Sequence, residues 1–103
     1  MLNDLYNALQ ETQLPLAYGM FREVPEPPYI VYQFSYSSNF DADDRVFLTR
    51  DRYTINLYTK KKDPETESVV ENALDTANYV WDKTETFIEG QQVYQISYTI
   101  FER

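Results

Sequence analysis

The side chains able to do chemistry in this chain are carboxylates, lysines, tyrosines and hydroxyls, because its 103 residues include no Cys and no His. Without them there is no disulfide, no thiolate nucleophile, no Ser-His-Asp relay and no ordinary zinc, copper or haem site. The only glycines are Gly19 and Gly90, so neither a phosphate-cradling loop nor a dinucleotide fingerprint can be written. The densest carboxylate run is Asp41-Ala42-Asp43-Asp44, and hard cations such as Ca²⁺ take carboxylate oxygens. Counted from Asp41 as the first loop position, the glycine position holds Val46, and the fifth and twelfth positions hold Arg45 and Arg52. The run therefore reads as a solvated or partner-facing loop, and no metal or cofactor is expected.

A second acidic pattern is Glu67, Glu71 and Asp75, with no Lys or Arg between Lys62 and Lys83 to pair with them. Like charges at i, i+4 oppose one another on a helix. Two readings follow from the spacing. The stripe is a solvated face, or it meets a cationic strip on a neighbouring copy, for which Arg45, Arg50 and Arg52 are the available cations. The one basic run, Lys60-Lys61-Lys62, is followed at once by Asp63 and Glu65 and reads as a solvated connection. With 9 basic and 17 acidic side chains the net charge is −8, which opposes the phosphate neutralisation that nucleic-acid binding requires.

The elements that must position these groups follow from periodicity. Leu2, Leu5 and Leu9 with Ala8 form one apolar stripe of a helix running to about Thr12, which Leu14-Pro15 ends. A short strand is expected over 16–21. Val24-Pro25-Glu26-Pro27-Pro28 is a stiff connector, and it leads into a strand over 29–36 with Ile30, Tyr32, Phe34 and Tyr36 on one face. Residues 37–44 read as a polar connection with Phe40 at its centre. A strand over 45–58 follows, where Tyr53, Ile55 and Leu57 alternate with Arg52, Thr54 and Asn56.

Asp63-Pro64-Glu65-Thr66 has the chemistry of a helix start. Val70, Leu74, Ala77 and Trp81 extend that helix to about Trp81. A closing hairpin takes 84–88 and 93–101, turning at Glu89-Gly90-Gln91 with glycine at positive φ. Tyr94, Ile96, Tyr98 and Ile100 share one face, so core packing claims most of the ten tyrosines.

The order α-β-β-β-α-β-β predicts an α+β fold, with two helices packed on one face of an antiparallel sheet of four to five strands. Length makes residues 1–103 a single domain. Apolar residues at 43% and aromatics at 17% suffice for a core, which argues against disorder. No apolar stretch approaches membrane-spanning length, and Met1-Leu2-Asn3-Asp4 does not open a secretory signal, so a cytoplasmic protein is expected.

Three stretches carry a resemblance. They are Leu14-Pro15-Leu16-Ala17-Tyr18, Pro27-Pro28-Tyr29-Ile30-Val31-Tyr32, and Asn39-Phe40 with Ala42-Asp43-Asp44. Tyr53 to Tyr58, Thr59-Lys60-Lys61-Lys62-Asp63-Pro64-Glu65 and Glu85-Thr86-Phe87-Ile88-Glu89 continue it, so it covers nearly the whole chain. The chain resembles the tail-completion or tail-terminator proteins of tailed phages and prophages of Gram-positive bacteria. The resemblance implies a non-enzymatic virion structural protein, made in the host cytoplasm and placed in the tail and neck region. It implies a homo-oligomeric ring, commonly a hexamer, that caps the tail tube and offers a surface to the head connector or stopper.

Residues expected at such interfaces are Phe40, Asp41, Asp43, Asp44, Arg45, Arg50, Arg52, Glu67, Glu71 and Asp75. The alternative is a small acidic regulatory protein, such as a DNA mimic that binds a basic host partner through a phosphate-like spread of carboxylates.

Overall fold

The computed structural model describes residues 2–42 and 45–102, with side chains described at 4–35 and 52–101. Its elements run α1 (Leu2–Gln10), β1 (Leu16–Tyr18), β2 (Tyr29–Ala42), β3 (Arg45–Thr59), α2 (Pro64–Thr76), β4 (Tyr79–Ile88) and β5 (Val93–Glu102). The five strands form one sheet in the order β1-β2-β3-β5-β4. The α+β class, the element order and the two helices are as the periodicity requires. The sheet is mixed rather than wholly antiparallel, because β1 pairs parallel to β2, Leu16 opposite Ile30 and Tyr18 opposite Tyr32.

Alternation on the strands explains where the core sits. Ile30 and Tyr32 of β2, Tyr53, Ile55 and Leu57 of β3, and Ile96, Tyr98 and Ile100 of β5 are buried on one face. The register aligns them in rows, Tyr32 with Ile55 and Ile55 with Tyr98. Leu5 and Leu9 of α1 and Val70 and Leu74 of α2 close this core from above. Each large aliphatic side chain so buried contributes roughly 1.5–3 kcal/mol, which is why two short helices suffice to cover the sheet.

The helix ends depart from the expected bounds for local reasons. The first helix stops at Gln10, short of Thr12, because 3₁₀-type bonds from Thr12 N–H to Leu9 and from Gln13 N–H to Gln10 tighten the last turn. The Thr12 hydroxyl also donates to the Leu9 carbonyl at 2.7 Å, and Gln13 takes a left-handed φ of 61°.

The second helix starts as its sequence dictates. Asp63 accepts from the Thr66 amide at 3.2 Å and the Thr66 hydroxyl at 2.7 Å, and Pro64 occupies the first turn. These bonds hold the Asp63 carboxyl below its usual range. Asp63→Ala is expected to cost about 1 kcal/mol in a urea melt at pH 7. An unchanged midpoint would remove the cap from the account of this helix.

The same helix ends at Thr76, not near Trp81. Asn78 adopts φ 66°, its amide bonds to the Asp75 carbonyl, and the chain enters β4 at Tyr79. Trp81 continued the helical spacing only by coincidence. It lies on a strand, where alternation puts it on the same face as Tyr79, opposite Ile100 of β5.

Two further differences concern the hairpins. Residues 37–42 are not a loop but the continuation of β2, paired with β3 as far as Ala42 opposite Arg45. A register shift between Phe34 and Tyr36 interrupts the expected alternation, and Tyr36 pairs with Arg52. The β4–β5 turn spans four residues, with bonds from Gln91 to Ile88 and from Gln92 to Glu89. Its left-handed residue is Gln92 at φ 56°, not Gly90. Gly19, at φ 80°, is the glycine whose freedom is used, where the chain leaves β1 and its amide bonds back to Tyr32.

Candidate functional site

Two of the three carboxylates of the α2 stripe turn away from solvent. Glu67 is 3% exposed and Glu71 is half-buried, because the inward side of the helix carries Glu67, Val70 and Leu74 at i, i+3 and i+7. A carboxylate taken out of water needs cations or donors. Two lysines from outside the helix supply them. Lys62 Nζ, just before the helix, bonds Glu67 at 2.7 Å and Glu85 of β4 at 2.6 Å. Lys83 Nζ of β4 bonds Glu67 at 3.1 Å and Glu71 at 2.7 Å.

Below them the Tyr98 hydroxyl donates to Glu71 at 2.9 Å, and Trp81 Nε1 donates to Asp75 at 2.8 Å. The Trp81 and Tyr98 rings meet edge to face, 5.6 Å between centroids. The reading of Glu67, Glu71 and Asp75 as a stripe without cations of its own chain is therefore corrected. The turn at Asn78 brings β4 back under α2, and Lys83 lies there on the same strand face as Trp81.

The same bonds set the protonation of this cluster. Burial pushes the Glu67 carboxyl up, but the bonds and charges of Lys62 and Lys83 outweigh it and hold the group below the usual carboxylate range. Hydrogen bonds to Glu67 and Glu85 raise Lys62, and the bond to Glu71 leads the causes that raise Lys83. Burial, then the bond to Glu71, raises the Tyr98 phenol. The cluster fastens α2 to the β4 side of the sheet.

The face of the sheet away from the helices carries a different surface. Tyr29 stacks on Tyr58 with centroids 4.9 Å apart, and Phe21 meets Tyr29 edge to face at 5.5 Å. Met20, Phe21, Val24, Tyr29, Val31 and Tyr58 contribute to a groove of about 620 Å³. A smaller groove of about 440 Å³ lies between the helices, where Ala8, Val69, Ala73 and Ala77 leave room. Among the described residues no group of three or more carboxylates gathers to hold a metal ion, and no helix is long and apolar enough to cross a membrane.

The other expected interface residues are dispersed along β2 and β3. Phe40 and Asp41 sit on the far part of β2, with Arg45 and Arg50 on the paired part of β3. Their side chains lie outside the described residues, as do Asp43 and Asp44 altogether. Arg52 lies over the Phe101 ring, 4.3 Å from its centroid, on the strand next to its own. Asp75 is exposed but engaged by Trp81.

Sequence reasoning missed Lys62, Lys83, Trp81 and Tyr98 as partners of the acidic stripe. The one signal was positional, since Lys83 falls on the same alternating face as Trp81 once β4 is known to begin at Tyr79. The fold and cluster define an α+β domain built on a mixed five-stranded sheet. No protein-family model matches the chain, and no curated protein matches it in sequence.

Proposed function

We propose that this chain is a non-enzymatic structural component of a phage tail, acting as a homo-oligomeric ring that caps the tail tube and joins it to the head connector. The observation that carries the reading is the long β2–β3 arm. Strand β1 covers β2 only at 30–32, and β5 covers β3 only at 53–59, whereas the β2–β3 pairing continues to Ala42 and Arg45. The arm is thus a two-stranded ribbon, and the molecule measures 49 × 28 × 26 Å along its principal axes. An isolated two-stranded hairpin is marginal in water and gains stability by packing on something else. A ring supplies that surface, since a closed ring is made of heterologous contacts in which one surface meets a different one on the next copy.

The arm holds Phe40, Asp41, Arg45 and Arg50, the residues expected at such a contact. Glu67 and Glu71 are withdrawn from the acidic side of that contact, because Lys62 and Lys83 already occupy them. The same engagement weakens the DNA-mimic alternative, which needs those carboxylates displayed.

The test is native mass by light scattering at low and high salt, together with cosedimentation with tail tubes. Six copies of the 12.3-kDa chain, or saturable binding at tube ends, are the expected results. Replacing 38–49 with a short turn is expected to abolish both while leaving the circular dichroism of the remaining fold in place. A shortened protein that still assembles and still binds tubes would remove the arm from the mechanism. A wild-type protein that does neither would remove the function.

A further inference from the structure

Strand β4 lies at the end of the sheet, and among the described residues no strand pairs with its outer edge. An unpaired edge of ten residues is a template for another strand, and proteins commonly blunt such edges with charges. The charges on β4 are arranged in an unusual order. About Thr84 the sequence Val80-Trp81-Asp82-Lys83-Thr84-Glu85-Thr86-Phe87-Ile88 is self-complementary, with Val80 and Ile88 alike, Trp81 and Phe87 alike, and Lys83 and Glu85 of opposite charge.

We infer that β4 is a self-complementary edge that pairs antiparallel with β4 of a second copy, about a two-fold axis through Thr84. In that register Lys83 lies opposite the second copy's Glu85, and the pair occurs twice. Trp81 lies opposite Phe87, Val80 opposite Ile88, and Asp82 opposite Thr86. Opposite charges and aromatic pairs directly across an antiparallel ladder stabilise it, and like charges across it do the reverse. An axis through Lys83 would set two lysines face to face, and one through Glu85 two glutamates, so the charge order favours Thr84 over either neighbour, and an axis through Thr86 would leave only 84–88 of the strand paired.

The exposures agree with an unfinished edge. Phe87 is 42% exposed although it touches Tyr94, with 4.9 Å between ring centroids, and 82–86 are all exposed. The pairing preserves the face on which the helices lie, because an antiparallel partner in this register places odd-numbered residues opposite odd-numbered ones. Both copies of α2 then stand on one side of a continuous sheet. Lys83 and Glu85 already belong to the cluster under α2, so the pairing would join the two clusters through the edge. This isologous contact uses β4 and is independent of the β2–β3 arm.

The absence of cysteine from the chain makes a clean test possible. Thr84 is exposed, and a two-fold axis through it sets Cα84 about 4.5–5.5 Å from its mate, within disulfide reach. Under the same register, residue 82 stands about 14 Å from its own mate, since they are offset by four residues. Thr84→Cys is expected to oxidise to a covalent dimer on non-reducing gels. Asp82→Cys and Thr86→Cys are each expected to stay monomeric there, whereas the double variant crosslinks.

The Thr84→Cys crosslink is also expected to survive shortening of the arm, which separates this contact from the ring. Thr84→Lys, which opposes like charges at the axis, is expected to raise the dissociation constant several-fold with unchanged circular dichroism. Equal crosslinking rates for Thr84→Cys and Asp82→Cys, or an unshifted association for Thr84→Lys, would overturn the inference.

Discussion

Glu67→Ala is expected to lower the unfolding free energy at pH 7 by about 2 kcal/mol, while Glu65→Ala on the exposed side of the same turn changes it by a few tenths. The difference follows from position. Glu67 is almost wholly buried and accepts from two ammonium groups, at 2.7 and 3.1 Å, whereas Glu65 is exposed. Removal of Glu67 does not strand its lysines, because Lys62 keeps Glu85 and Lys83 keeps Glu71. That retention keeps the loss below the roughly 3–5 kcal/mol typical of an orphaned buried charge.

The pH dependence has a definite sign. Glu67 is held below its unfolded value of 4.5, so its contribution is complete above that value and is lost as pH falls through the lower folded one. Lys62 and Lys83 are raised above 10.5, so theirs is complete below 10.5 and is lost as pH rises through the higher folded values. Stability from the cluster is therefore flat between roughly pH 5 and 10, and no histidine titrates within that window. Urea midpoints of wild type and Glu67→Ala are expected to differ at pH 7 and to draw together as pH falls below 4.5. A difference that does not narrow as pH falls below 4.5 would show that the carboxylate charge is not what holds the helix.

The strands, their inward residues and the first residue of α2 were legible because each rests on local chemistry. Ile30 and Tyr32, or Ile96, Tyr98 and Ile100, alternate and are buried as alternation requires. Asp63 and Pro64 start a helix wherever a helix follows. The boundary at Thr76 was not legible, because Trp81 extended the helical spacing while the terminating signal was Asn78, a residue that tolerates left-handed backbone but does not impose it. The extension of β2 through Ser37, Ser38 and Asn39 was hidden by turn-forming side chains that the register with Asp51, Arg50 and Thr49 overrides.

The partners of the acidic stripe lie between these cases. Scanned along the helix, Glu67, Glu71 and Asp75 have no cation among them, and only Lys62, just before the helix, reaches Glu67 locally. Scanned along the strand, Lys83 shares the face of Trp81, but it is exposed, so nothing local demands an anion for it. The charges answer each other, but only a topology that lays β4 under α2 brings them together, and local periodicity does not report topology.

The largest single loss is expected at Tyr98. Its side chain is fully buried, fills the space between Trp81 and the β3 row, and stands opposite Ile55 in the ladder. Tyr98→Phe removes only the hydroxyl, whose bond to Glu71 is one of two that carboxylate accepts, so about 1 kcal/mol is expected. Tyr98→Ala removes the ring as well and leaves a cavity under α2, for which about 3–5 kcal/mol is expected. A domain of this size has roughly 5–15 kcal/mol in total, so the alanine variant should be partly unfolded at 37 °C and the phenylalanine variant should not.

The two substitutions separate the parts of the cluster. If the hydroxyl anchors Glu71, Tyr98→Phe will reduce the effect of a second substitution, Glu71→Gln, and the double variant will lose less than the two singles together. Additive losses in urea would mean that ring packing alone fastens this part of α2, with Glu71 answering only to Lys83. The raised phenol adds a sign of its own. Its stabilisation is present below the ordinary tyrosine value of 10 and is lost as pH rises through the higher folded one, so the gap between wild type and the Tyr98→Phe variant is expected to close only in strong alkali.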